Sequence, residues 1–117
     1  MELGFTIQFL LKLGHLVVEF SPLLASLILV ISALALIIGK QENWSVADSL
    51  YFGFITASTV GYGDFRPSSR KGKWLAIAIA MFGLILTGIV VTLAVESAGQ
   101  AYDVLNAREA VEATMEQ

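Results

Sequence analysis

The sequence predicts an all-α membrane protein in which two helices cross the bilayer and a half-length helix re-enters it between them. Three observations predict this. Of the 117 residues, 56% are hydrophobic and only 15% charged, with a mean hydropathy of +0.76, against roughly 45–50% apolar and about 25% charged in soluble domains. Two stretches, residues 23–39 and 74–95, carry no charged side chain, and crossing a hydrocarbon core of about 30 Å takes around 20 apolar residues in a helix. The middle of the segment between them is too apolar for an ordinary water-exposed loop and too short for a third crossing. A chain this long makes one domain at most, and a single small core could not bury so much apolar surface. Lipid or sister subunits must cover it.

Several function classes fall away on composition. The absence of cysteine removes disulfides, thiolate metal sites and a cysteine nucleophile. A single histidine, His15, argues against a protein-built zinc site. The net charge of -3 and pI near 4.9 argue against nucleic acid, whose phosphates need a basic patch. His15 and the scattered acids form no nucleophile–base arrangement, so an enzyme has no support. No cofactor and no small-molecule substrate are expected.

Along the chain, residues 1–20 place Gln8, Lys12, His15 and Glu19 in one narrow polar stripe. A helix lying in the interface plane fits this pattern, and so does an N-terminal extension of the first span. A signal peptide does not, because the start is acidic and no small-residue cleavage site follows. Ser21 as a cap and Pro22 at the first helical position begin the first span. Its uncharged 17 residues rise about 26 Å, so the turns around Phe20 and Lys40 must complete the crossing. Ser45-Val46-Ala47-Asp48 has the form of a capping box, which predicts a helix from Val46 to about Ala57, broken by Gly61 and Gly63. At membrane depth the backbone after it needs protein or a water-filled cavity. The second span, of 22 residues, rises about 33 Å, and Trp44 and Trp74 fit an aromatic belt at one interface. Residues 97–117 carry Asp103, Glu109, Glu112 and Glu116 against Arg108, with a weak coiled-coil seam of Ala101, Val104, Val111 and Met115. A helix that short is expected to fray beyond about Ala110. The chain thus divides into an N-terminal segment (1–20), a two-span unit (21–96) and an acidic tail (97–117).

After the half-helix comes Thr59-Val60-Gly61-Tyr62-Gly63-Asp64, which resembles the signature filter of potassium channels. A dehydrated potassium ion needs a cage of oxygens, supplied there by rings of backbone carbonyls. Successive carbonyls face one axis only if alternate residues take conformations that a Cβ disfavours, and Gly61 and Gly63 meet that need. On this resemblance the carbonyls of Thr59, Val60, Gly61 and Tyr62 hold the ions, and the Thr59 hydroxyl adds an oxygen at the inner end. Val60 and Tyr62 wedge the strand against the pore helix. One chain supplies a quarter of each oxygen ring, so the resemblance implies a homotetramer in lipid, passing K+ passively, with bound K+ as its ligand. An ordinary glycine-rich turn would explain three of these residues but not six specified ones behind a capped half-helix.

Within the family, Ser49-Leu50-Tyr51 and the spacing from Gly72 to Gly83 are most similar to the pore of archaeal calcium-gated channels. With 21 residues after Glu96, the chain is expected to lack their cytosolic calcium-binding domain. Ile55 stands where some bacterial channels carry a glutamate that pairs with the filter-end aspartate. Asp64 is therefore expected to be held by the Tyr51 hydroxyl. Gly83 matches the family's gating hinge, with close helix packing as the alternative; Gly88 is read first as packing and second as hinge. Thr87 faces the cavity or bonds its own helix, and Glu96 concentrates cations at the cytosolic mouth or is a solvated helix end. No arginine-rich sensor helix is present, which excludes voltage sensing through one.

The resemblance implies a plasma-membrane protein with both termini cytosolic. Lys40, Arg66, Arg70, Lys71 and Lys73 lie on the loop side, against Lys12 and Arg108 on the terminal side, so the positive-inside rule alone would put the loop in the cytosol. The resemblance outweighs the rule, because the loop is mostly re-entrant protein and its bases surround a mouth that also holds Asp64 and Glu42. Two rivals remain, a nonselective cation channel, which should have lost the tyrosine or second glycine, and a nonconducting membrane scaffold.

Overall fold

The uncharged stretches become helices that overrun their predicted ends. The computed structural model describes residues 2–117, the Glu2 side chain excepted, so Met1, part of the predicted N-terminal segment, lies outside the described residues. It contains α1 (Glu2–Glu19), α2 (Ser21–Glu42), α3 (Val46–Ala57) and α4 (Arg70–Glu116), with no strand among the described residues. Two helices, α2 and α4, are long and apolar enough to cross a membrane. At 22 residues, α2 rises about 33 Å. The shortfall of the uncharged core is made up at both ends. Ser21 is not the cap it was expected to be: its hydroxyl donates to the Val18 carbonyl at 2.8 Å. The backbone keeps turning through Phe20, whose N–H donates to the Leu16 carbonyl at 2.9 Å. At the far end Asn43 takes a φ of 60° and Trp44 N–H returns to the Gly39 carbonyl at 2.9 Å, a left-handed stop that asparagine tolerates.

The 47 residues of α4 extend about 70 Å. The expected fraying past Ala110 is not found; the helix is unbroken to Glu116, carried by the good helix formers of its tail.

The chain forms two compact units. One is Pro22–Ile89, where α3 lies among α2 and the first turns of α4 around a core of Ile31, Ala35, Ile38, Phe52, Ala57 and Ile79. Small residues set that packing. Ser49, Gly53 and Ala57, four apart, form one face of α3 and are all buried. A Cβ on Gly53 would come within 2.5 Å of the Ala35 Cβ, and one on Gly39 within 2.6 Å of the Ser49 Cβ. Helices meet closely where neither side presents bulk.

The other unit joins the residues up to Ser21 with Val90–Gln117. Its buried side chains are Leu16, Leu93, Ser97 and Ala101, and a Cβ on Gly4 would touch Leu105 at 3.7 Å. Ser97 is satisfied by donating to the Leu93 carbonyl at 2.7 Å. The polar stripe of α1 does not stay together on an open face. Gln8 and Lys12 are half-buried, while His15 and Glu19 are exposed and 3.9 Å apart. The outward side of α1 is apolar, with Leu3, Ile7, Leu10, Leu11 and Val18 exposed. Of the tail seam only Ala101 is buried and Val104 half-buried; Val111 and Met115 are exposed.

Candidate functional site

The site begins with the cap of α3. Ser45 is extended (φ -66°, ψ 163°) and its hydroxyl oxygen accepts from the Asp48 N–H at 3.1 Å, which starts the helix at Val46 as the capping box predicts. At the other end the closing carbonyls are taken up by the loop that follows. Ser58 N–H donates to the Phe54 carbonyl at 2.9 Å, Thr59 N–H to Thr56 at 3.1 Å, and Gly61 N–H to Ile55 at 3.1 Å. The segment 59–61 is therefore laid back on the helix terminus.

From there φ is positive at every second residue: 68° at Thr59, 55° at Gly61 and 78° at Gly63. The glycines were expected; Thr59 was not. A threonine in the left-handed region costs roughly 1–2 kcal/mol, so its surroundings must hold it there. No motif signals this, because the strain comes from the tie of its neighbours to α3. Val60 and Tyr62 are 52% and 70% exposed in the single chain, and Tyr62 lines the same cavity as Ile55 and Thr56 of α3.

Beyond the glycines, Asp64 lies beside the Tyr51 hydroxyl. The hydrogen bond to Asp64, then burial, then the negative charge of Asp64 and of Tyr62 raise the Tyr51 pKa above its usual 10.0. The protonated phenol is the form the folded state favours, so this contribution is fully present below the ordinary value and is lost as pH rises through the raised one. On the resemblance to potassium channels, replacing Tyr51 by phenylalanine is expected to speed the loss of current during sustained opening several-fold while leaving ion preference largely intact, since charge-assisted bonds are roughly twice as strong as neutral ones. Recordings in a lipid bilayer at pH 7 check this; wild-type protein should come to behave like the variant only as pH rises through the raised Tyr51 value, not at the ordinary one.

An aromatic cluster backs the same end. Phe65 meets Tyr51 edge-on at 6.0 Å and Trp44 at 5.3 Å, and Trp44 meets Phe52 at 5.2 Å. Trp44 thus packs, half-buried, against the core next to the reversal at Asn43. Trp74 remains exposed. A cavity of about 220 Å³ lies behind the glycine segment, walled by Ile55 and Thr56 of α3, Tyr62, Asp64 and Ala76 of α4.

Glu42 holds the exit of this segment, a role the sequence did not reveal. Its carboxylate accepts from the Ser68 N–H at 2.9 Å, the Ser68 hydroxyl at 2.9 Å and the Ser69 N–H at 3.4 Å. Ser69 in turn caps α4, accepting from the Gly72 N–H at 2.9 Å. A partner 26 residues away leaves no local signal. Replacing Glu42 by alanine removes the acceptor of these bonds and is expected to lower the melting midpoint by about 1–3 °C, measurable by thermal unfolding in detergent.

The two α4 glycines differ in their surroundings. Gly83 is buried, and a Cβ there would run into the backbone of Ala57, whereas a Cβ on Gly88 would meet nothing within 4 Å. Thr87 and Glu96 are exposed, and Gln100 Nε2 donates to Glu96 at 3.4 Å. Among the described residues no cluster of three His, Asp or Glu could hold a metal ion.

Comparison with known proteins bears on residues 23–99, which match a family model described as "Ion channel". The chain is 33% identical over 78 residues to human "Potassium channel subfamily K member 17", covering 61% of this chain and 24% of that protein. It is 37% identical over 59 residues to "Two-pore potassium channel 1" of Arabidopsis thaliana, covering 50% and 16%. "Protein LctB" of Bacillus caldotenax is 35% identical over 94 residues, covering 79% of this chain and 60% of that protein. The chain therefore spans a quarter or less of the first two relatives. No solved structure matches it significantly.

Proposed function

We propose, from the premise that the chain belongs to the ion channel family, that four copies surround one axis and pass potassium ions passively through a filter built by Thr59–Gly63. The observation that carries this is the sign of φ, positive at Thr59, Gly61 and Gly63 in turn. A backbone that alternates in handedness turns successive carbonyls the same way. The carbonyls of Thr59, Val60, Gly61 and Tyr62 then form stacked rings that replace the hydration shell of K+. One chain offers one oxygen per level, so the rings close only in a fourfold assembly. The names of the relatives, potassium channels from human and plant, favour K+ as the permeant ion.

In this reading α3 is a re-entrant pore helix, the exposed flanks of Val60 and Tyr62 are covered by the next copy, and lipid covers the apolar outer faces of α2 and α4. Asp64 and Tyr51 brace the outer end of the filter. With two crossings both termini lie on one side, taken as the cytosolic side of the plasma membrane. Ser49-Leu50-Tyr51 and the 72–83 spacing add a likeness to archaeal calcium-gated pores. The chemistry is desolvation and resolvation of an ion, without a covalent step.

Purified protein in a planar bilayer, with K+ on one side and Na+ on the other, tests the proposal. A reversal potential that follows the K+ gradient is expected. Equal permeation of both ions would make the pore a nonselective channel, and a silent bilayer with protein incorporated would make it a scaffold; either result overturns the proposal.

A further inference from the structure

Gly83 is buried where α4 passes the last residue of α3. A Cβ built on it would run into the Ala57 carbonyl oxygen and Cα, and lie 2.7 Å from the Ala57 carbonyl carbon. All three obstacles are backbone, so no rotamer change relieves them. Only Ser58 separates Ala57 from Thr59, and both following N–H groups are tied to α3, Ser58 to Phe54 and Thr59 to Thr56. Pressure at Ala57 therefore passes directly to the residue that opens the alternation of φ.

Gly88 offers an internal comparison. A Cβ there would meet nothing within 4 Å, and α4 is one unbroken helix through both glycines. A flexible joint needs backbone freedom, which glycine supplies equally at either position. A close approach needs the Cβ to be absent, and of the two only Gly83 has that need.

We propose that the Gly83–Ala57 backbone contact sets the position of Thr59, making Gly83 a positioning residue for ion selection. This rests on the channel reading above. Through the contact, α4 acts on the inner end of the filter without any relay of side chains, and a shift of α4 toward α3 moves the Thr59 oxygens.

Gly83→Ala and Gly88→Ala, reconstituted in liposomes, separate the two roles, because both substitutions stiffen the helix but only one adds a clash. Gly83→Ala is expected to lower the K+/Na+ permeability ratio by about tenfold, and Gly88→Ala to leave it unchanged. If both variants lower open probability alike with the permeability ratio intact, Gly83 is a joint and the proposal fails. Should four copies of Gly83→Ala prevent assembly, a linked tetramer carrying one substituted subunit is measured instead. A reduced ratio supports the contact and a wild-type ratio overturns it. Wild-type protein that does not select K+ overturns the channel reading itself, and this inference with it.

Discussion

Replacing Gly63 by alanine is expected to abolish potassium-selective current. The reason is conformational, because a Cβ at Gly63 would meet nothing within 4 Å in the chain while its φ is 78°. An L-residue pays roughly 1–2 kcal/mol to stay in that region. In the proposed assembly of four copies this amounts to roughly 4–8 kcal/mol, on a segment where Thr59 already bears the same cost. The cheaper outcome is for the peptide to flip out of the alternation, which removes one carbonyl from every ring it served. The measurement is K+ against Na+ flux from liposomes, with chemical cross-linking to compare the oligomeric state of the variant with that of the wild type. A variant that assembles and keeps the wild-type permeability ratio would show that the sign of φ at Gly63 does not matter to selection.

Gly39→Ala is expected to undo the docking of α3, for a steric reason. Gly39 is buried against Ser49, and the new Cβ would overlap the Ser49 hydroxyl and lie 2.6 Å from its Cβ. Overpacking of this kind costs about 1–3 kcal/mol per site. The obstacle is mostly side chain, since the Ser49 Cα is 3.6 Å away, an ordinary contact. Ser49→Gly alone costs about 1 kcal/mol in helix propensity and loses the Ser49 hydroxyl bond to the Ser45 carbonyl at 2.7 Å. Combined with Gly39→Ala it removes the clash, so the double variant should be more stable than Gly39→Ala alone. Thermal unfolding of the four proteins closes the cycle. Simple additivity would mean that the two helices do not meet at this pair.

The hydropathy of α2 and α4, the cap at Ser45 and the glycine spacing at 61 and 63 were all legible in the amino-acid sequence. Each rests on local chemistry, namely apolar length, a hydroxyl three residues from its N–H, and the freedom of a residue without a Cβ. The small face of α3, with Ser49, Gly53 and Ala57 spaced four apart, went unread in the sequence, which does not say which helix each one meets. Contacts between distant residues decided the rest. Glu42 grips Ser68 and Ser69 only because α2 ends beside the loop that enters α4. Trp44 packs half-buried against Phe52 and Phe65 where the chain reverses at Asn43. Gly83 took a packing role that helix periodicity does not encode, because the reason for it is the backbone of Ala57. Thr59 shows the division most clearly. Its residue type argues against a positive φ, and it adopts one because the N–H groups on either side of Val60 are bound to the end of α3. Local propensity determined where helices start and where glycine was needed; tertiary contact determined which residue bears the strain, since several hydrogen bonds and a buried crossing together outweigh one unfavourable dihedral.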